Sequence, residues 1–386
     1  MELKKGSKIA VVCRGGFENG PFSAQALATL REGLLLNELD ISGIYAVSSS
    51  CPTALLGCIG EDVNLCQIWQ NLTPEDIVGD LCAGSKLPPR DGFAVKTKHK
   101  IINFSRKAKI LNNIRKHGHA FSNAPLLKLI EKHCLPNIDR IFGPDAAIMK
   151  IGAVDYFTAQ KIIFSNRIPE HKDIICAGAI GSMCLIPWFQ SPTIDDPLGR
   201  KLNGAAYSEF DSLRLMDGAY RAGILLEEAI REPIGYDVIF IIDILGLEFE
   251  QIDSQTPNDA SKRIQRSISV LTTTNNQLIL SLVDRIDEEI LIMNKITELK
   301  NIADNPVIAD RVEKILERMN DGRLRLFDKH APKRVIISNS GYAIPFDFTN
   351  FGKVEMAHLM RAGHHAAFKA LKRLGLDTGG INAIIP

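Results

Sequence analysis

The chain has almost no net charge, no paired cysteine motif and no long hydrophobic run, and each absence removes a class of function. Lys and Arg number 46 against 45 Asp and Glu over 386 residues, so no global field recommends a nucleic acid as partner. The eight cysteines (13, 51, 58, 66, 82, 134, 176 and 184) include no CxxC pair and none of the paired spacing of zinc sites. Buried free thiols in a reducing, cytoplasmic setting are the simple reading. The longest apolar stretches, "VIFIIDILGL" and "IICAGAIGSMCLIPWF", are broken by Asp, Gly, Ser and Pro short of the roughly 18 to 20 residues a membrane span requires. The opening "MELKKGSKIAVVC" has too short an apolar run before Arg14 for a signal-peptide core. Neither a transmembrane segment nor a signal peptide is expected, and at this length the chain can bury a large core.

What the chain does have is alternation of short apolar runs with helical patterns. Residues 8 to 13 (KIAVVC) read as a buried strand, 23 to 36 as a helix with Leu27, Leu30 and Leu34 on one face, Ile44 to Val47 as a second strand, and Thr53 to Cys58 as the next helix. Further strands are expected at 147 to 154, 161 to 165, 173 to 176, 236 to 244 and 333 to 338, with runs typical of strands covered on both faces. Residues 62 to 145 read as a helical insertion, 256 to 330 as a helical arm, and 353 to 374 as a closing helix. The expected division is an α/β domain over 1 to 255, the arm, and a C-terminal strand and helix (331 to 386) packing back on the domain.

Three short stretches could carry chemistry. "AVSSSCPTALLG" (46 to 57) sets three serines between a strand and a helix, where a tight turn can project a hydroxyl beside helix-start N–H groups. Ser48 has small residues, Ala46 and Ser50, at plus and minus two. Ser49 would put β-branched Val47 there, so Ser48 fits better, with Ser49 left open. A serine merely capping the helix is the plain alternative. "VVCRGGFENG" places Gly15 and Gly16 after a strand, where backbone donors can approach an oxyanion, and no Gly-Lys-Ser/Thr follows to make it a nucleotide loop. "LMDGAYRAG" puts Asp217 before Gly218 near a strand end, able to take a proton from a hydroxyl, although Asp-Gly alone is more often a turn.

Taken together and in order, these stretches resemble the patatin-like phospholipases. The glycine loop and helix of "VVCRGGFENGPFSAQALATL", the serine elbow of "AVSSSCPTA", "GAVDYFTAQKIIF", "CAGAIGSMCLIPWF", "DGAYRAG", and the closing "RVIIS", "PFDFTNF" and "RAGHHAAF" each match a block of that family. The resemblance implies a three-layer α/β fold with a mostly parallel central sheet. It implies Ser48 as nucleophile, Asp217 as base, Gly15 and Gly16 in the oxyanion loop, no metal or cofactor, and a phospholipid, lysophospholipid or other acyl ester as substrate.

The chain departs from the family pattern at Phe17, Asn19, Ala46, Ser50 and Ser182, the last standing for a proline. Each of the first four puts another side chain where the family has glycine or a basic residue. Two functions follow: a serine acyl hydrolase, or a silent relative that binds lipid or a protein partner. The basic run from Lys96 to Lys116, with apolar residues interleaved, suits peripheral contact with anionic lipid heads, and reads more simply as a solvated helix face with one buried side. His117, His119, His364 and His365 keep no ligand spacing with a carboxylate or Cys, Cys51 has no nearby His, and Asp243 reads as a structural strand-end carboxylate.

Overall fold

The computed structural model describes residues 3–16, 19–77, 112–195, 212–221, 223–244, 332–338 and 351–381. The expected helical arm, the basic run up to residue 111 and most of "PFDFTNF" lie outside them.

The described chain is an α/β structure built on one eight-stranded sheet. Its order is β5 (Thr193–Asp195), β6 (Ser212–Asp217), β3 (Ile148–Asp155), β2 (Ile41–Val47), β1 (Ile9–Cys13), β7 (Val238–Ile242) and β8 (Lys333–Ile337), with β4 (Lys161–Ser165) paired to β3 off this path. The five strands from β3 to β8 run parallel, whereas β4, β5 and β6 join antiparallel. The parallel centre explains the unbroken apolar runs, because both faces are covered.

Period-two alternation divides each central strand between two cores. Ile9, Val11 and Cys13 of β1 face the larger core with Val238, Phe240 and Ile242 of β7. Helices α1 (Asn19–Leu36), α2 (Cys51–Gly57), α3 (Asp62–Asn71), α4 (Ala124–Cys134) and α5 (Ile175–Ser182) contribute to that core. Ala10, Val12, Tyr45, Val47, Ile239 and Ile241 face the smaller one, under α6 (Leu226–Ile230). The closing helix α7 (Lys353–Arg373) packs along α1 on the larger side, with Thr29 and His364 hydrogen-bonded at 2.9 Å between them.

One expected strand is corrected. Residues 173 and 174 are a turn and 175 and 176 the first residues of α5, not a strand. The helix brings two glycines three residues apart onto one side, Gly178 against the Phe164 ring and Gly181 against Leu215, a close seating that a strand could not offer.

Parallel packing also sets where chemistry can occur. Cys13 pairs with Ala46 on one side and Ile242 on the other, so the loops following β1, β2 and β7 leave the sheet at one common end. In parallel α/β sheets the carboxyl ends of the strands are where ligands meet the backbone.

Candidate active site

Ser48 is the residue that breaks strand β2. Val47 is still extended, at φ −136° and ψ 147°, and Ser48 turns left-handed at φ 57° before a single 3-10 turn of Ser48–Ser50 feeds α2. A left-handed non-glycine residue costs about 1–2 kcal/mol, and such strain persists only where the surroundings enforce it. Here the Ser48 N–H donates to Ser182 Oγ at 2.8 Å, and Ser48 Oγ donates to Asp217 Oδ2 at 2.7 Å.

The other two serines are tied to the glycine loop instead. Ser50 Oγ donates to the Arg14 carbonyl at 2.8 Å, and Ser49 Oγ donates to the Gly16 carbonyl. Of the triplet, only Ser48 has its hydroxyl on a carboxylate.

Asp217 reaches Ser48 through sheet register. Val47 pairs with Gly152 and Asp217 with Ala153, consecutive residues of β3. Because β4 holds the opposite edge of β3 from Lys150 to Val154, β6 meets β3 along the edge that β2 has just left. The following Gly218 is required there: a Cβ would stand 2.1 Å from the Gly152 carbonyl oxygen. Asp217 donates its own N–H to the Cys184 carbonyl at 2.8 Å, and its Oδ1 accepts the Ala219 N–H at 2.8 Å. Burial pushes the carboxyl up to about 6, and the bonds from Ser48 and Ala219 hold it partly back.

The two loop glycines have different surroundings. Gly15 lies against the elbow, since a Cβ on it would come within 2.9 Å of Ser48 Cβ, and its N–H is committed to the Gly223 carbonyl at 3.1 Å. Gly16 has φ 125°, and its N–H has no partner among the described residues. Asn19, where the resemblance has a basic side chain, is buried: its Nδ2 donates to the Gly15 carbonyl at 3.0 Å and its Oδ1 accepts the Ile244 N–H at 2.8 Å. It braces the loop against the end of β7.

In front of Ser48 and Ser49 an apolar cleft runs between α2, α3 and α4. Its walls are aliphatic and aromatic, including Leu55, Leu56, Ile68, Trp69, Leu126, Leu129, Ile130 and Met183, with no Lys, Arg, Asp or Glu among the described residues. Among the described residues His133 is the only titratable nitrogen on it, and burial lowers its imidazole below the usual value. Such a surface accepts a hydrocarbon chain by removing apolar area from water, at roughly 25 cal/mol per Å².

No family model matches the chain, and no curated protein matches it. Among solved structures it is similar to the crystal structure of VipD from Legionella pneumophila, with 9% identity and a TM-score of 0.41 over 96% of this chain and 68% of that one.

The structure brings Ser48 and Asp217 together and sets Gly15 and Gly16 beside them, while the histidines singled out in the sequence stand elsewhere. His117 and His119 border a separate polar groove with Arg214 and Thr193, and His364 serves helix packing. Among the described residues no group of three or more His, Cys, Asp and Glu side chains is gathered as metal ligands would be. Sequence reasoning did not foresee the wall supplied by α4, whose amphipathic pattern was the available signal, or the hydrogen bond from Ser48 to Ser182.

Proposed function

We propose that the protein is a serine acyl hydrolase of the patatin type, acting on fatty-acyl esters of phospholipids or lysophospholipids with Ser48 as nucleophile and Asp217 as base. The observation that carries this reading is the 2.7 Å bond from Ser48 Oγ to a desolvated Asp217 at the head of an apolar cleft. The ordered resemblance along the sequence points the same way.

In the reaction, Asp217 takes the Ser48 hydroxyl proton as Oγ bonds to the ester carbonyl carbon. A carboxyl raised to about 6 is a stronger base than an ordinary aspartate yet still ionised at neutral pH. The developing oxyanion is met by the Gly16 N–H and the Ser49 N–H at the helix start, while Gly15 keeps backbone close to the turn without offering its own donor. Collapse breaks the ester C–O bond, and the leaving alcohol takes the proton from Asp217. Water, deprotonated by Asp217, then attacks the acyl-serine and releases the fatty acid and the free hydroxyl.

The commitment of the Gly15 N–H favours the second reading, a silent lipid-binding relative. One missing oxyanion donor costs about 3–4 kcal/mol of transition-state stabilisation. Fluorophosphonate labelling of wild type, Ser48→Ala and Asp217→Asn, with fatty-acid release from mixed phospholipids, separates the two. Labelling abolished in Ser48→Ala and hydrolysis reduced about 10³-fold or more in Asp217→Asn is the expected result. A folded wild type that takes no label, with or without lipid, sinks the hydrolase.

A further inference from the structure

Ser182 ends α5 and is fully buried. Its hydroxyl donates to the Gly152 carbonyl at 2.5 Å and accepts the Ser48 N–H at 2.8 Å, so one side chain bridges β3 to the residue that turns out of β2. The Gly152 carbonyl that Ser182 engages is the same group that excludes a side chain at Gly218. On the far side α5 is seated on the strand carrying Asp217 through the contact of Gly181 with Leu215.

A left-handed turn at Ser48 removes its N–H from the β2 ladder, and a buried amide without an acceptor is costly. Ser182 supplies the acceptor, and its own proton, spent on Gly152, fixes the direction of its lone pairs. Rotating Ser48 back toward the extended region would break this bond and swing Oγ away from Asp217.

We propose that Ser182 is a positioning residue that holds the Ser48 backbone in its left-handed turn and thereby aims Oγ at Asp217. The inference rests on the hydrolase reading for its catalytic consequence. It also commits the Ser48 N–H, leaving oxyanion contact to Gly16 and Ser49.

The test compares the full-length wild type with Ser182→Ala and Ser182→Thr by three readouts. These are the fluorophosphonate labelling rate, kcat and KM on p-nitrophenyl butyrate, and deuterium exchange of the peptide containing the Ser48 amide. Displacing a reacting group by an ångström can cost about 100-fold. Ser182→Ala is therefore expected to label roughly 10- to 100-fold more slowly, through kcat with KM within about threefold, and to exchange the Ser48 amide faster. Ser182→Thr keeps the hydroxyl and is expected to recover most of the rate. Should Ser182→Ala lose its cooperative melt, Ser182→Cys, a weak donor and acceptor of similar size, makes the same comparison and should fall below wild type. An active wild type matched by a folded Ser182→Ala or Ser182→Cys, or equal losses in folded Ala and Thr variants, overturns the proposal. A wild type that neither labels nor turns over overturns the hydrolase reading itself, a result recognisable before any variant is made.

Discussion

Asp217 and Asp243 both stand buried at strand ends in this sheet, and they differ in what faces them. Asp243 follows β7 and is joined to the Arg14 guanidinium at 2.8 Å, in a pair whose side chains are 0% and 6% exposed. Asp217 closes β6 with a hydroxyl and a backbone amide for partners and, among the described residues, no cation. One carboxylate has its charge balanced; the other is held only by dipoles. The same residue type thus becomes a brace in one place and a candidate proton acceptor in the other, and the neighbour decides which.

Exchanging each for its amide breaks the comparison most sharply. Asp217→Asn should abolish most hydrolysis while leaving the urea midpoint unchanged or raised, because it removes a desolvated charge. Asp243→Asn takes one partner from a buried ion pair, a change that costs about 3–5 kcal/mol, and should lower the midpoint. Similar effects of the two substitutions on stability would show that the environments do not differ as argued.

The pH dependence sharpens it further. Asp217 titrates near 6 in the folded protein, above the 3.8 of an ordinary aspartate, so folding favours its protonated form. Below about pH 4 both states are protonated and this cost is absent; it grows as pH rises and is complete above about 6. Stability from this group should therefore fall between those limits by something on the order of 3 kcal/mol, a slope that Asp217→Asn should remove. The labelling rate should rise through about pH 6 and level off roughly one unit above it as the base ionises. A rate already flat at pH 5, measured on protein shown to be folded, would contradict the raised carboxyl.

Much of this was legible in the sequence because the relevant signals are local. The runs at β1 and β2, the small residues around Ser48 and the Asp-Gly after a strand all lie within a few residues of what they determine. What was not legible depends on partners far along the chain. Ser48, Ser49 and Ser50 look alike in sequence, and they are told apart by bonds to Asp217, Gly16 and Arg14, on other segments. The start of α5 reads as a strand because "DIIC" is short and mostly apolar, and the helix's glycines gain their meaning only against Phe164 and Leu215. The bond from Ser182 to Ser48 spans 134 residues, beyond any periodicity.

A smaller effect is expected at Gly15, on the Ser48 side of the contact. Gly15→Ala would place a methyl 2.9 Å from Ser48 Cβ and 3.3 Å from the Val47 carbonyl oxygen. Overpacking of this kind costs about 1–3 kcal/mol. Relief requires Ser48 or the loop to shift, so labelling should slow by about tenfold or more while Asp217 keeps its surroundings. An alanine variant that labels at the wild-type rate would mean that the turn and loop are not held as tightly as the contact implies.

The smallest effect belongs to Ser49→Ala. Ser49 Oγ donates to a carbonyl of Gly16 that also accepts the Asn19 N–H at 2.9 Å, so its loss leaves that acceptor satisfied. A hydrogen bond of this kind contributes roughly 1 kcal/mol, and no proton acceptor faces this hydroxyl in the way Asp217 faces Ser48. Ser49→Ala should melt within a few degrees of wild type and label within several-fold of its rate. The distinction between the two serines rests on which hydroxyl has the carboxylate, since both line the same cleft. Labelling that survives Ser48→Ala and disappears in Ser49→Ala would move the nucleophile to Ser49, and the bond to Asp217 would then be a structural brace like that of Asp243.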